Sequence, residues 1–123
     1  MMFIVDMQSK IPIFEQLKKQ ILEFISIGIL NADDQLPSVR SLAIELGVNP
    51  NTVSKAYQEL EKQGYIYTVK GKGCFVSGHQ VEEKIKEEKL MEFKKCVLDM
   101  KKYQISYQIL ADIITRIYGE GEL

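Results

Sequence analysis

A mostly α-helical chain with one small β-hairpin is predicted for these 123 residues by three observations. Apolar residues recur at helical spacing before Gly64 and again beyond residue 80, but between Tyr65 and Val76 the period falls to two, among β-branched and aromatic side chains. Two of the helical stretches are separated only by Gly47, Val48 and Asn49, the short glycine-containing turn of a helix-turn-helix. The composition after the hairpin shifts to dense Glu and Lys with a narrow apolar seam, which divides the chain into residues 1–79 and a helical appendage, 80–123.

"MMFIVD" is short and apolar and reads as an edge strand or a hydrophobic arm. From Pro12 the pattern is helical: Phe14, Leu17, Ile21, Phe24 and Ile25 share a face, and Lys18, Lys19 and Glu23 oppose it. Pro12 suits the first turn because it has no N–H to leave unpaired, and Gly28 suits the stop. "NADDQLP" follows as a turn-rich linker. Ser38 is then placed as N-cap of a short helix with Val39, Leu42, Ala43 and Leu46 inward, closed by Gly47. Asn49 caps the next helix and Pro50 takes its first position, with Val53, Ala56, Tyr57 and Leu60 repeating toward a core until Gly64. "YIYTV" and "CFV" flank "KGKG" as a hairpin with a glycine turn. Helix, helix-turn-helix and hairpin in this order make a winged helix-turn-helix domain.

Beyond it, Val81, Ile85, Leu90, Phe93, Val97 and Met100 form a seam on a long charged helix, with Glu82 and Lys86 paired four apart. Ser106 can cap a final helix whose Ile109, Leu110, Ile113, Ile114 and Ile117 make a wide apolar stripe before Gly119. Such faces require cover, and dimerisation through 80–118 is the expectation; packing back on the N-terminal domain is the alternative.

Charge and composition exclude several classes. Sixteen basic against seventeen acidic residues do not describe a protein that coats nucleic acid indiscriminately, so any DNA binding must come from local placement. No apolar run reaches the roughly 18 to 20 residues of a membrane span, and the N-terminus lacks signal-peptide order, so a cytoplasmic protein without a membrane partner is expected. Cys74 and Cys96 stand apart, without a CxxC or Cys/His cluster, and His79 has no companion at metal spacing, so neither a disulfide, a metal nor a cofactor is expected. No phosphate loop, Ser/His/Asp set or paired carboxylates point to an enzyme.

What remains is a surface. Acids are normally favoured in a first helical turn, yet Pro50, Asn51, Thr52 and Val53 include none, and the first acid is Glu59. Free N–H groups there can meet a phosphate, while Asn51 and Thr52 offer hydrogen bonds to base edges and Lys55 suits the DNA backbone. By itself this stretch is equally a good helix start. Arg40 lies off the inner face of the preceding helix, with a fork matched to phosphate or guanine, although it could pair with an acid such as Glu45. Lys70 and Lys72 sit at the hairpin tip around Gly71. Together, in this order, they point to DNA.

"LPSVRSLAIELGVNPNTVSKAYQELEKQGYI" followed by "GKGCFV" resembles the winged helix of GntR-type bacterial transcription regulators, from about Ile11 to Val76. The short remainder resembles the YtrA-like subfamily, whose C-terminal helices dimerise, rather than members with a large effector domain. The resemblance assigns DNA contact to Arg40 in the second helix, to Asn49, Asn51, Thr52, Ser54 and Lys55 in the recognition helix and its entry, and to Lys70, Gly71 and Lys72 in the wing; Ser38, the cap of the second helix, is counted with them. It implies a homodimeric regulator, most simply a repressor, on a palindromic double-stranded operator. A small-molecule effector, if there is one, would enter between the apolar C-terminal helices. A winged-helix module that binds protein instead of DNA is the rival reading.

Overall fold

In the computed structural model, which describes residues 3–78 and 80–120 with the side chain of residue 120 excepted, helices dominate and one hairpin interrupts them. His79 lies outside the described residues. The order is α1 (Ile13–Ser26), α2 (Val39–Leu46), α3 (Pro50–Lys62), β1 (Ile66–Val69), β2 (Gly73–Val76), α4 (Val81–Lys102) and α5 (Tyr107–Glu120). Two compact units divide the chain, Met1–Ile85 and Lys86–Leu123, and α4 runs across the division.

The first unit is built on α3. Its Val53, Ala56, Tyr57 and Leu60 repeat at three and four residues, and so lie on one face, which packs on Leu17, Ile21 and Ile25 of α1 and on Leu42 and Ala43 of α2. Tyr65, Ile66 and Val76 close the core from the hairpin, and the described residues bury no polar or charged side chain other than tyrosine.

The helix ends follow local chemistry. Ser38 Oγ accepts from the Ser41 N–H at 3.0 Å, and Asn49 Oδ1 accepts from the Asn51 N–H at 2.8 Å with Pro50 in the first turn. Gly47 ends α2 at φ 68°, ψ 36°, the left-handed conformation that lets Val48 N–H return to the Ala43 carbonyl at 3.0 Å. Pro12 differs from expectation: it is the N-cap itself, and α1 starts at Ile13. With extended ψ, its carbonyl can accept from Glu15 and Gln16 at 3.0 and 3.1 Å without any capping side chain. Gly119 does not end α5, which continues to Glu120.

Residues 3–6 form an arm and not a strand. Phe3 is buried and stacks on Phe24 with ring centroids 5.1 Å apart. The Gln20 carboxamide accepts from the Ile4 N–H at 2.9 Å and donates to the Ile4 carbonyl; Gln16 treats Asp6 the same way at 2.8 and 3.0 Å. A carboxamide carries the donor and acceptor of a peptide group, so two side chains of α1 substitute for a neighbouring strand.

The hairpin pairs Ile66 with Val76 and Val69 with Gly73, antiparallel. Its second edge is covered by the linker that the sequence marked only as turn. Asp33 N–H donates to the Val76 carbonyl at 2.8 Å, Val76 N–H to Asp34 at 2.9 Å and Leu36 N–H to Cys74 at 2.8 Å, with a bridge between Gln35 and Phe75. The backbone groups on that side of β2 need partners, and the linker supplies them.

α4 begins in this core, where Val81 and Ile85 are 7% and 5% exposed. Ile85, grouped by spacing with the dimerisation seam, therefore already has cover within its own chain, as expected of a side chain one turn after Val81. In the second unit the apolar faces are less covered. Leu90, Phe93, Ile109, Ile113, Ile114 and Ile117 are exposed, while Val97, Met100 and Leu110 are half-buried. Among the described residues α4 and α5 share no extensive packed face.

Candidate nucleic-acid interface

The helix-turn-helix sets its polar residues on the side that the core leaves free. Because Val53, Ala56, Tyr57 and Leu60 take the inner face of α3, Asn51 and Lys55 are exposed and Thr52 and Ser54 half-exposed. No acid stands in the first turn of either α2 or α3. Capping consumes one side-chain oxygen each of Ser38 and Asn49, so these two act first as helix starters, whereas the side chains of Asn51 and Thr52 carry no hydrogen bond within the described residues.

Arg40 is exposed on the first turn of α2, and the pairing with Glu45 does not form; among the described residues Arg40 has no ion pair. A guanidinium left free beside an acid-free helix start is available to phosphate or guanine. Lys55 has a further contact that spacing could not show. Its Nζ lies 3.8 Å from the centroid of the Phe14 ring, tying α3 to α1 while the side chain stays exposed. On the same helix, Glu59 is bound by Lys18 of α1 at 2.8 Å, and that hydrogen bond holds its carboxyl below the usual range, with Lys55 and Lys62 adding to the effect.

The wing carries the remaining basic candidates. Lys70, Gly71 and Lys72 are exposed at the tip, where Gly71 at φ 80° permits the turn and Lys72 N–H donates to the Val69 carbonyl at 2.9 Å. Two residues outside the sequence-based set organise this region. The Tyr57 hydroxyl donates to the Pro37 carbonyl at 2.7 Å, and burial pushes its pKa well above the ordinary tyrosine value, with Cys74 adding a smaller push. The Gln35 carboxamide donates to the Lys72 carbonyl at 2.8 Å. Periodicity hid the first, because Tyr57 scores simply as core, and turn composition hid the second.

Among the described residues no three His, Cys, Asp or Glu groups gather to hold a metal ion, and no helix is long and apolar enough to cross a membrane. The residues expected to dimerise lie on α4 and α5.

Such a fold, with an uncovered polar face on the second helix of its helix-turn-helix and a basic tip on its hairpin, is a winged helix-turn-helix. Residues 13–76 match the model of the bacterial regulatory proteins of the gntR family, and the chain belongs to that family. It is 49% identical over 73 residues to the HTH-type transcriptional repressor YtrA of Bacillus subtilis (strain 168), a match covering 59% of this chain and 56% of that protein. The chain thus aligns with little more than half of that relative's length. A GntR family transcriptional regulator from Listeria monocytogenes superposes with a TM-score of 0.77 at 31% identity, covering 91% of this chain and 98% of that one. The DNA-binding domain of AraR, solved in complex with operator ORX1, superposes with a TM-score of 0.54 at 32% identity over 60% of this chain and 92% of that one. The resemblance in "LPSVRSLAIELGVNPNTVSKAY" and "GKGCFV" is therefore one of kinship.

Proposed function

We propose that this chain is a cytoplasmic repressor that binds a palindromic operator as a homodimer, each copy presenting α3 to a major groove. The observation that carries this reading is the acid-free start of α3, with Asn51 and Thr52 unengaged, together with an Arg40 on α2 that makes no ion pair among the described residues. Asn51 and Thr52 would read base edges, Arg40 and Lys55 would hold phosphates, and Lys70 and Lys72 would follow the backbone from the wing. Ser38, Asn49 and Ser54 would add contacts from the helix starts and the outer face. Repression would follow from exclusion of polymerase.

In this reading residues 1–79 bind DNA and residues 80–123 join two copies. Support for the dimer is the stripe of Ile109, Ile113, Ile114 and Ile117, which is uncovered in a single chain. The simplest geometry places the half-sites about one helical turn, ~34 Å, apart. The AraR structure with operator DNA supports the mode of engagement by kinship.

Selection of bound fragments from random DNA tests symmetry and spacing together. On the recovered fragment, Arg40→Ala and Thr52→Ala should abolish binding at about 150 mM salt while leaving the fold intact, and affinity should fall steeply as salt is added. Full affinity in both variants, or no response to salt, would favour the protein-binding module instead.

A further inference from the structure

The Gln35 carboxamide reaches 37 positions along the sequence to donate to the Lys72 carbonyl at 2.8 Å. Beside that contact stands Gly73 at φ +124°, where an added Cβ would lie 2.9 Å from Gln35 Nε2. The absent side chain at Gly73 thus makes room for the glutamine. Next along the chain, Leu36 N–H donates to Cys74 of β2 at 2.8 Å, and the Pro37 carbonyl receives the Tyr57 hydroxyl of α3. Ser38, the cap of α2, follows at once. Residues 35–37 therefore touch the wing, the recognition helix and the start of α2 within three consecutive positions.

We infer that Gln35 is a positioning residue for DNA binding: it holds the wing tip, with Lys70 and Lys72, in a fixed pose relative to α2 and α3. This rests on the DNA-binding reading above and adds to it how wing and helix come to engage one duplex together. A two-stranded hairpin is marginal by itself, and its tip here has the Lys72-to-Val69 bond as internal support. Ordering two lysines at the moment of binding costs affinity, and a tip held beforehand avoids that cost. A neutral carboxamide suits the task, since it donates to the Lys72 carbonyl without placing a charge beside the phosphates.

The test uses the full chain and the operator fragment recovered by selection. Affinity is measured across a salt series for the wild type, Gln35→Met, the pair Lys70→Ala/Lys72→Ala, and the triple variant; methionine keeps the length of glutamine and removes its N–H. Gln35→Met should weaken binding about three- to tenfold, the worth of one ordinary hydrogen bond, and lower the salt slope by about one phosphate contact. In the background lacking both lysines it should cause no further loss, because the glutamine acts through them. An unchanged affinity and slope overturn the inference, and so does an equal loss in both backgrounds, which would mean that Gln35 only supports the fold. Should Gln35→Met fail to fold, Gln35→Asn, one methylene too short to reach Lys72, is read in the same way. A wild-type chain that selects no fragment at all would instead sink the DNA-binding reading itself, which separates the two failures.

Discussion

The hydroxyl of Tyr57, in the middle of α3, donates to the carbonyl of Pro37, just ahead of α2, at 2.7 Å. One bond therefore fixes where α2 starts relative to the axis of α3. Tyr57→Phe keeps the buried ring and leaves that carbonyl unpaired, and should lower unfolding stability by about 1 kcal/mol. The pH response follows from its sign. The folded-state pKa is raised by burial, so its contribution is complete below the ordinary value of 10.0 and is lost as pH rises beyond it. Denaturant titrations from neutral to strongly alkaline pH should show a steeper alkaline loss in the wild type than in Tyr57→Phe; parallel curves would remove Tyr57 from the account.

The absence of acid from the first turn of α3 can be reversed. Asn51→Asp should raise helix stability by about 0.3 to 1 kcal/mol, because the carboxylate complements the macrodipole. It should also weaken operator binding by about tenfold or more, because the same charge meets phosphate. Thermal unfolding and binding on one preparation check both at once. A variant that is more stable and binds as well as the wild type would show that this turn does not face DNA.

Lys18 and Glu59 join α1 to α3 at 2.8 Å, and the hydrogen bond from Lys18 depresses the Glu59 carboxyl below its ordinary value of 4.5. The pair contributes above that value, and its contribution disappears as pH falls through the lower folded-state pKa. Lys18→Met should flatten the acid limb of the stability curve below about pH 4.5. An unaltered acid limb would show that the pair adds nothing.

Gly47 at φ 68° ends α2, and a Cβ built there meets no atom within 4 Å. Its cost is therefore conformational alone. Gly47→Ala should lose about 1 to 2 kcal/mol of stability, measurable in urea, without a change in operator site. A loss well above that range would point to a packing role that the open space at Gly47 does not show.

Ile113 and Ile117 lie one turn apart on α5, 38% and 44% exposed in a single chain. Ile113→Lys/Ile117→Lys should give a monomer in sedimentation. Its affinity for a two-half-site fragment should fall by about a hundredfold or more, since the second site no longer benefits from linkage. A wild-type chain that already sediments as a monomer would end the homodimer proposal.

Much of the fold was legible because its signals are local. Ser38, Asn49 with Pro50, Gly28, Gly47 and Gly64 mark helix ends through the conformation of one or two residues, and the spacing of Val53, Ala56, Tyr57 and Leu60 chooses a face from the helical period alone. The acid-free turn and Arg40 were legible for the same reason: they occupy what such a face leaves over.

Sequence by itself thus determined the winged-helix order, the helix-turn-helix and which side chains of α3 stay exposed. Tertiary structure alone decided which distant segments meet. It brought Gln35 to Lys72, Tyr57 to Pro37 and Lys55 to Phe14, bonded Ile4 to Gln20 and Asp6 to Gln16, and turned Ile85 from a seam position into a core one. Those outcomes depend on where chain reversals deliver a donor to an unpaired carbonyl or an apolar side chain to a core. Periods of two and of 3.6 residues carry no information at that range.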